Sequence, residues 1–181
     1  GKPVLSESPT AFRGQWGLAQ DDFGRLYYNH NSTWILTDPL PTELLLANPW
    51  SGRAIGQPAR SGQTVIPDPS TYPIRINPGI NRGYQKPMLR ADGRLQRNTA
   101  ASGVAILRSD QWGADWDGRA FVPEAAGNLV AAFELQENSG RFQGQQLLWP
   151  HSKYGQRAFL ASTDERFRPV DAKLGPDGNL Y

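Results

Sequence analysis

An all-β fold follows from three features of this sequence. Gly and Pro, 19 and 15 of the 181 residues, recur along the whole length and leave few windows for a long helix. A short unit occurs five times: an Asp, Asn or Gly turn, then a strand that opens on one polar residue and runs on apolar or aromatic. Finally, an apolar share of 38%, with six Trp, seven Phe and six Tyr, is enough to build a core from short strands.

The turn units come in chain order. Asp22-Phe-Gly-Arg-Leu-Tyr-Tyr28 predicts a strand at 25–29, and the apolar run after Asn31-Ser32 predicts its hairpin partner at 33–37. Residues 39–84 are rich in Pro, Gly, Asn and Ser and read as a long ordered insertion. Within it, Thr42 after Pro41 caps a helical turn over 42–47, although Leu44-Leu45-Leu46 reads equally as a buried strand. Asp92-Gly-Arg-Leu95 is another turn, and a strand at 103–107 follows it. Asp117-Gly-Arg-Ala-Phe-Val122 predicts a strand at 120–123, and Ala126-Gly-Asn-Leu-Val130 one at 129–135. Further strands are expected at 145–149, 158–162 and 170–174, the last entering the turn Asp177-Gly-Asn-Leu-Tyr181. Eight or nine short strands joined by hairpins suit four-stranded blades, about two blades plus part of a third. The chain is therefore expected to be a single incomplete β-propeller domain over 1–181, a fragment of a longer protein.

Composition removes several functions. A net charge of +2 with scattered Lys and Arg lacks the basic stripe of a nucleic-acid binder. The absence of Cys removes disulfides, thiolate nucleophiles and Cys-ligated zinc. His30 and His151 stand without the paired ligand spacing of a transition-metal site. No apolar run is long enough to span a bilayer, and no G-x-S-x-G elbow or phosphate loop occurs. Asp115-Trp-Asp117-Gly is half of a calcium loop and reads as a turn.

What remains as candidate chemistry is sparse. His30, at the end of the 25–29 strand, is the candidate general base, against the plainer reading of a turn histidine bonded to backbone. Residues 162–171 concentrate five charges. Arg166 and Arg168 there suit either ties that fix strand ends or a planar fork for the carboxylate of a ligand.

Several stretches carry a resemblance: Gln15-Trp-Gly-Leu-Ala-Gln-Asp-Asp-Phe-Gly-Arg-Leu-Tyr-Tyr28, Tyr72-Pro-Ile-Arg-Ile-Asn-Pro-Gly-Ile-Asn-Arg-Gly-Tyr84, Phe121-Val-Pro-Glu-Ala-Ala-Gly-Asn-Leu-Val130 and Phe159-Leu-Ala-Ser-Thr-Asp-Glu-Arg-Phe-Arg-Pro-Val-Asp171. Together they resemble the six-bladed propellers of membrane-bound dehydrogenase-like proteins abundant in planctomycete-type bacteria, often joined to helical repeats and a c-type cytochrome. That family is similar to glucose and sorbosone dehydrogenases that hold pyrroloquinoline quinone (PQQ). The resemblance implies cofactor-binding roles for Arg13, within Arg13-Gly-Gln-Trp-Gly-Leu18, and for Arg168 with Asp171 orienting it. Gly14 stands where those enzymes carry Asn, and Val170 where they carry a second Arg. It further implies PQQ and calcium as cofactors, a sugar or polyol substrate, a c-type cytochrome partner, further blades in the parent chain, and a periplasmic or extracellular location. The function so implied is oxidation of a sugar or alcohol hydroxyl. The alternative is a non-catalytic propeller that binds carbohydrate or protein.

Overall fold

The chain is all-β. The computed structural model describes residues 17–39 and 62–181. The expected helical turn at 42–47 lies outside the described residues. Among them, only three short 3-10 turns (Asp110–Trp112, Ala114–Trp116 and Ala125–Gly127) interrupt strands and loops, and no helix is long and apolar enough to cross a membrane.

Two antiparallel meanders make the body. The first orders β1 (Leu18–Gln20), β2 (Leu26–His30), β3 (Thr33–Thr37) and β4 (Gln63–Thr64) side by side. The second runs β5 (Ala105–Ile106), β6 (Ala120–Glu124), β7 (Leu129–Asn138) and β8 (Arg141–Leu147), with β11 (Leu160–Ala161) also on β7. Between β8 and β11 lies a hairpin of β9 (Trp149–His151) and β10 (Gly155–Arg157). A last hairpin closes the described chain, with Lys173 and Tyr181 exchanging both main-chain bonds and Leu174 bridging Leu180.

The turn units behave as their chemistry demands. Asp21, Asp92 and Asp177 each accept the amide two residues on through a side-chain oxygen. Gly24, Gly93 and Gly178 supply the positive φ, as does Gly118 in the turn before β6. Before β7 the same job falls to Asn128, left-handed at φ 56°.

Strand alternation then sorts side chains into two cores. Val122, Leu129, Ala131 and Phe133 face Tyr27, Trp34 and Ile35 of the first sheet and Val65 and Ile66 just beyond β4. The intervening residues, Phe121, Val130 and Ala132, point the other way into a second cluster, where Trp112, Trp116 and Phe159 pack around Phe121 and Trp149 packs on Trp116 and Phe159. Burial on both faces explains why β6 and the first half of β7 read as continuous apolar runs.

The expected strands 33–37 and 120–123 coincide with β3 and β6 to within a residue, and 25–29 with β2. Three differ. The 145–149 run divides between β8 and β9 because pairing passes at Leu148 from β7 to β10, and β8 starts earlier, at Arg141, with only Phe142 of its first three residues buried. The 103–107 strand shrinks to β5. The 170–174 strand reduces to the bridge at Leu174, its Val170 side chain being exposed. Of the insertion, residues 62–84 are held by residues 88–98 through the bonds Thr71 to Gln96, Asn98 to Pro69 and Asn77 to Gly93.

Candidate functional site

Three of the sequence stretches singled out above meet at Gly103. A Cβ on Gly17 would stand 2.5 Å from the Gly103 Cα. A Cβ on Gly103, itself at φ 47°, would stand 2.8 Å from the Asp171 Cα and 3.2 Å from the Ala172 amide nitrogen. The backbones of 17–18, 102–104 and 171–172 therefore stack directly, which only glycine at the two contact points allows. Buried Asn29 joins them, its Nδ2 donating to the Gly103 carbonyl at 3.3 Å. Asn29 Oδ1 and Ser102 Oγ are buried beside this junction without a partner.

The loops that lead into the junction hang on one turn. Glu124, at the end of β6, is fully buried and faces amides alone. Its Oε1 accepts from Ala100 and Ala126, both at 3.1 Å, and its Oε2 from Thr99 at 3.1 Å and Ala100 at 3.0 Å. Burial pushes its carboxyl up to about 7, while the amides of Ala100, Thr99, Ala126 and Gly127 pull it down. Four residues later, buried Asn128 presents the opposite polarity. Its Nδ2 donates to the carbonyls of Asp164, Glu165 and Phe167, and its Oδ1 accepts from Arg75 and Asn77. Arg75 also pairs with Glu165 at 3.6 Å.

Sequence reasoning passed over both residues. The signal available was a lone carboxylate closing the apolar run 120–123 and a Gly-Asn step before the next one.

Of the residues expected to bind cofactor, Arg13 lies outside the described residues. Arg168 is exposed and ties backbone: its Nε donates to Glu165 O at 2.8 Å and its Nη1 to Ala125 O at 2.9 Å. A guanidinium grips a carboxylate through Nε with Nη2 or through Nη1 with Nη2, and each of those edges already holds one carbonyl. Asp171 accepts from its neighbour's amide, Ala172 N, and from Lys173 at 3.5 Å, so its partners are these and not Arg168. His30 closes β2 opposite Thr33, one residue beyond Asn29. His151 is a backbone-bonded turn histidine, its Nδ1 accepting the amides of Lys153 and Tyr154. Among the described residues, no three His, Asp or Glu side chains gather as a metal site would require.

Beside the junction opens a groove of about 590 Å³ between β1, β5 and the last hairpin. Its wall carries Gln20, Asp110, Lys173 and an Asp22–Arg108 ion pair over an apolar floor of Val104 and Ile106. Such a surface offers hydrogen bonds of both senses to a polyhydroxy ligand. His30, Arg168 and Asp171 do not line it.

Two solved structures, both glucose dehydrogenases, are similar to this chain. One is 17% identical, covering 91% of this chain and 59% of its own with a TM-score of 0.33; the other is 19% identical, covering 91% and 56% with a TM-score of 0.31. The chain thus spans under two thirds of their length. No curated protein matches it. Residues 4–181 match the model of a domain of unknown function, DUF7133, and the chain belongs to that family.

Proposed function

We propose that this chain is part of a propeller of quinoprotein-like dehydrogenases that oxidise a sugar or polyol hydroxyl, working in the periplasm or outside the cell and passing electrons to a quinone and then to a c-type cytochrome. The observation that supports the reading is the junction at Gly103, where the stretches 17–18 and 171–172, which carry the resemblance to such enzymes, are stacked together with 102–104. A groove with mixed polar and apolar walls adjoins it.

Arg168 does not present the forked donor that the carboxylates of PQQ require. Arg168 already spends Nε and Nη1 on main-chain carbonyls, and Asp171 turns to Lys173. What the chain's own residues do is fix the loops around the groove and offer hydrogen bonds to hydroxyls from Gln20, Asp110 and Lys173.

That geometry of Arg168 favours a second reading, a non-catalytic propeller that binds carbohydrate or protein. The test is reconstitution of the full-length protein with PQQ and calcium. New absorbance together with dye reduction by aldoses supports the dehydrogenase; absence of both overturns it. Stabilisation of the protein by a sugar without turnover favours the binding module.

A further inference from the structure

The two loops that enter the junction belong to different parts of the chain, yet one five-residue turn holds both. We infer that the turn from Glu124 to Asn128 is the positioning element of the site, setting 99–103 and 164–171 as a single unit. Its part in substrate oxidation rests on the function proposed above; the mechanical unit does not.

The argument is one of polarity and slack. Both carboxyl oxygens of Glu124 accept, and they meet the amides of Thr99 and Ala100; the Asn128 Nδ2 donates, and it meets the carbonyls of Asp164, Glu165 and Phe167. Arg168 closes the circuit by donating from the second loop back to Ala125 O inside the turn. Between the two anchors there is little room to give, since a Cβ on Gly127 would stand 3.1 Å from Leu129 Cδ2 and 3.2 Å from Glu124 Cγ. Asn77 adds a third strap, with Nδ2 reaching both Ala126 O and Asn128 Oδ1. Both loops then end on the same backbone contact, Gly103 against Asp171. Glu124 and Asn128 are themselves fully buried, so they touch no ligand and act through the loops they hold.

Amide hydrogen exchange on the whole chain tests this without quinone or sugar, so a lack of turnover counts against the proposed function and not against the unit. Asn128→Asp keeps a residue type that tolerates the left-handed backbone but turns the donor into an acceptor against three carbonyls. Exchange should rise at least tenfold at 163–169 and also at 99–103, which Asn128 does not contact. Val65→Ala, a substitution in the core between the sheets, serves as the control for general destabilisation and should raise exchange evenly. A rise confined to 163–169, or a pattern equal to that of Val65→Ala, overturns the inference. Should Asn128→Asp not fold, Arg168→Gln removes the exposed tie to the turn and the bond to Glu165 O within its own loop while leaving both buried anchors in place; increased exchange in both loops supports the unit, and in 164–168 alone overturns it. Where turnover is measured, Asn128→Asp should lower kcat at least tenfold beyond the effect of Val65→Ala, and an unchanged kcat overturns the role in oxidation.

Discussion

Replacing Glu124 by Gln should change the sign of its effect with pH. Two terms compete at this buried carboxyl. Burial raises it to about 7 against an ordinary value of 4.5, so the neutral form is favoured in the folded chain. The stability this group contributes is then complete below 4.5 and is lost as the pH rises through about 7. At 1.36 kcal/mol per unit the loss amounts to about 3 kcal/mol by pH 8. Gln carries no charge and escapes that loss. Against this, both carboxyl oxygens accept amides, and a Gln keeps only one oxygen. Whichever way its amide is turned, Thr99 N or Ala126 N faces an NH2 group, at a cost of about 2 kcal/mol. About 1 kcal/mol of the loss from burial has already occurred by pH 5, so Glu124→Gln should be destabilising by about 1 kcal/mol near pH 5 and stabilising by about 1 kcal/mol at pH 8. Urea unfolding of both proteins from pH 5 to 8, followed by tryptophan fluorescence, reads the difference directly. A difference that stays constant over that range, or that moves against Gln as the pH rises, would refute the reasoning and show that the amides outweigh the burial of the charge.

Gly103→Ala should cost about 3 kcal/mol in urea unfolding, because a Cβ there meets both an unfavourable φ and the backbone of Asp171. Gly118→Ala, with a similar positive φ but open space around it, should cost only about 1 kcal/mol, and equal losses at the two positions would remove the close-approach argument. Phe121→Ala should lose about 3–5 kcal/mol, since its ring lies 5.1 Å from Phe159, 5.7 Å from Trp112 and 6.0 Å from Trp116. The near-UV circular dichroism of the tryptophan cluster should collapse with it, and a retained signal would show that the rings are ordered without Phe121.

Legibility in the sequence followed distance along the chain. The five turns were readable because each is settled within four residues: Asp177 bonds the Asn179 amide, and Gly178 carries the positive φ. Strands with two buried faces, such as β6, were readable from their apolar runs. The start of β8 was not, because Arg141 and Gln143 point to solvent and only Phe142 marks a buried face. The pairing expected between Arg168 and Asp171 fails for a related reason. The resemblance implied that Asp171 orients Arg168, but the loop turns Arg168 toward Ala125, 43 residues earlier in sequence.

By itself, the sequence determined the all-β character, the turns and the alternation that sends Val122 to one core and Phe121 to the other, all of which depend on backbone preferences and on a two-residue period. Only the tertiary structure decided what the polar residues are for. Glu124 and Asn128 acquire their roles from loops tens of residues away, and Gly17, Gly103 and Asp171 meet because two glycines let three backbones touch. Hydrogen-bond partners are chosen by whichever groups folding leaves buried side by side, and that adjacency is a property of packed sheets and not of any local window.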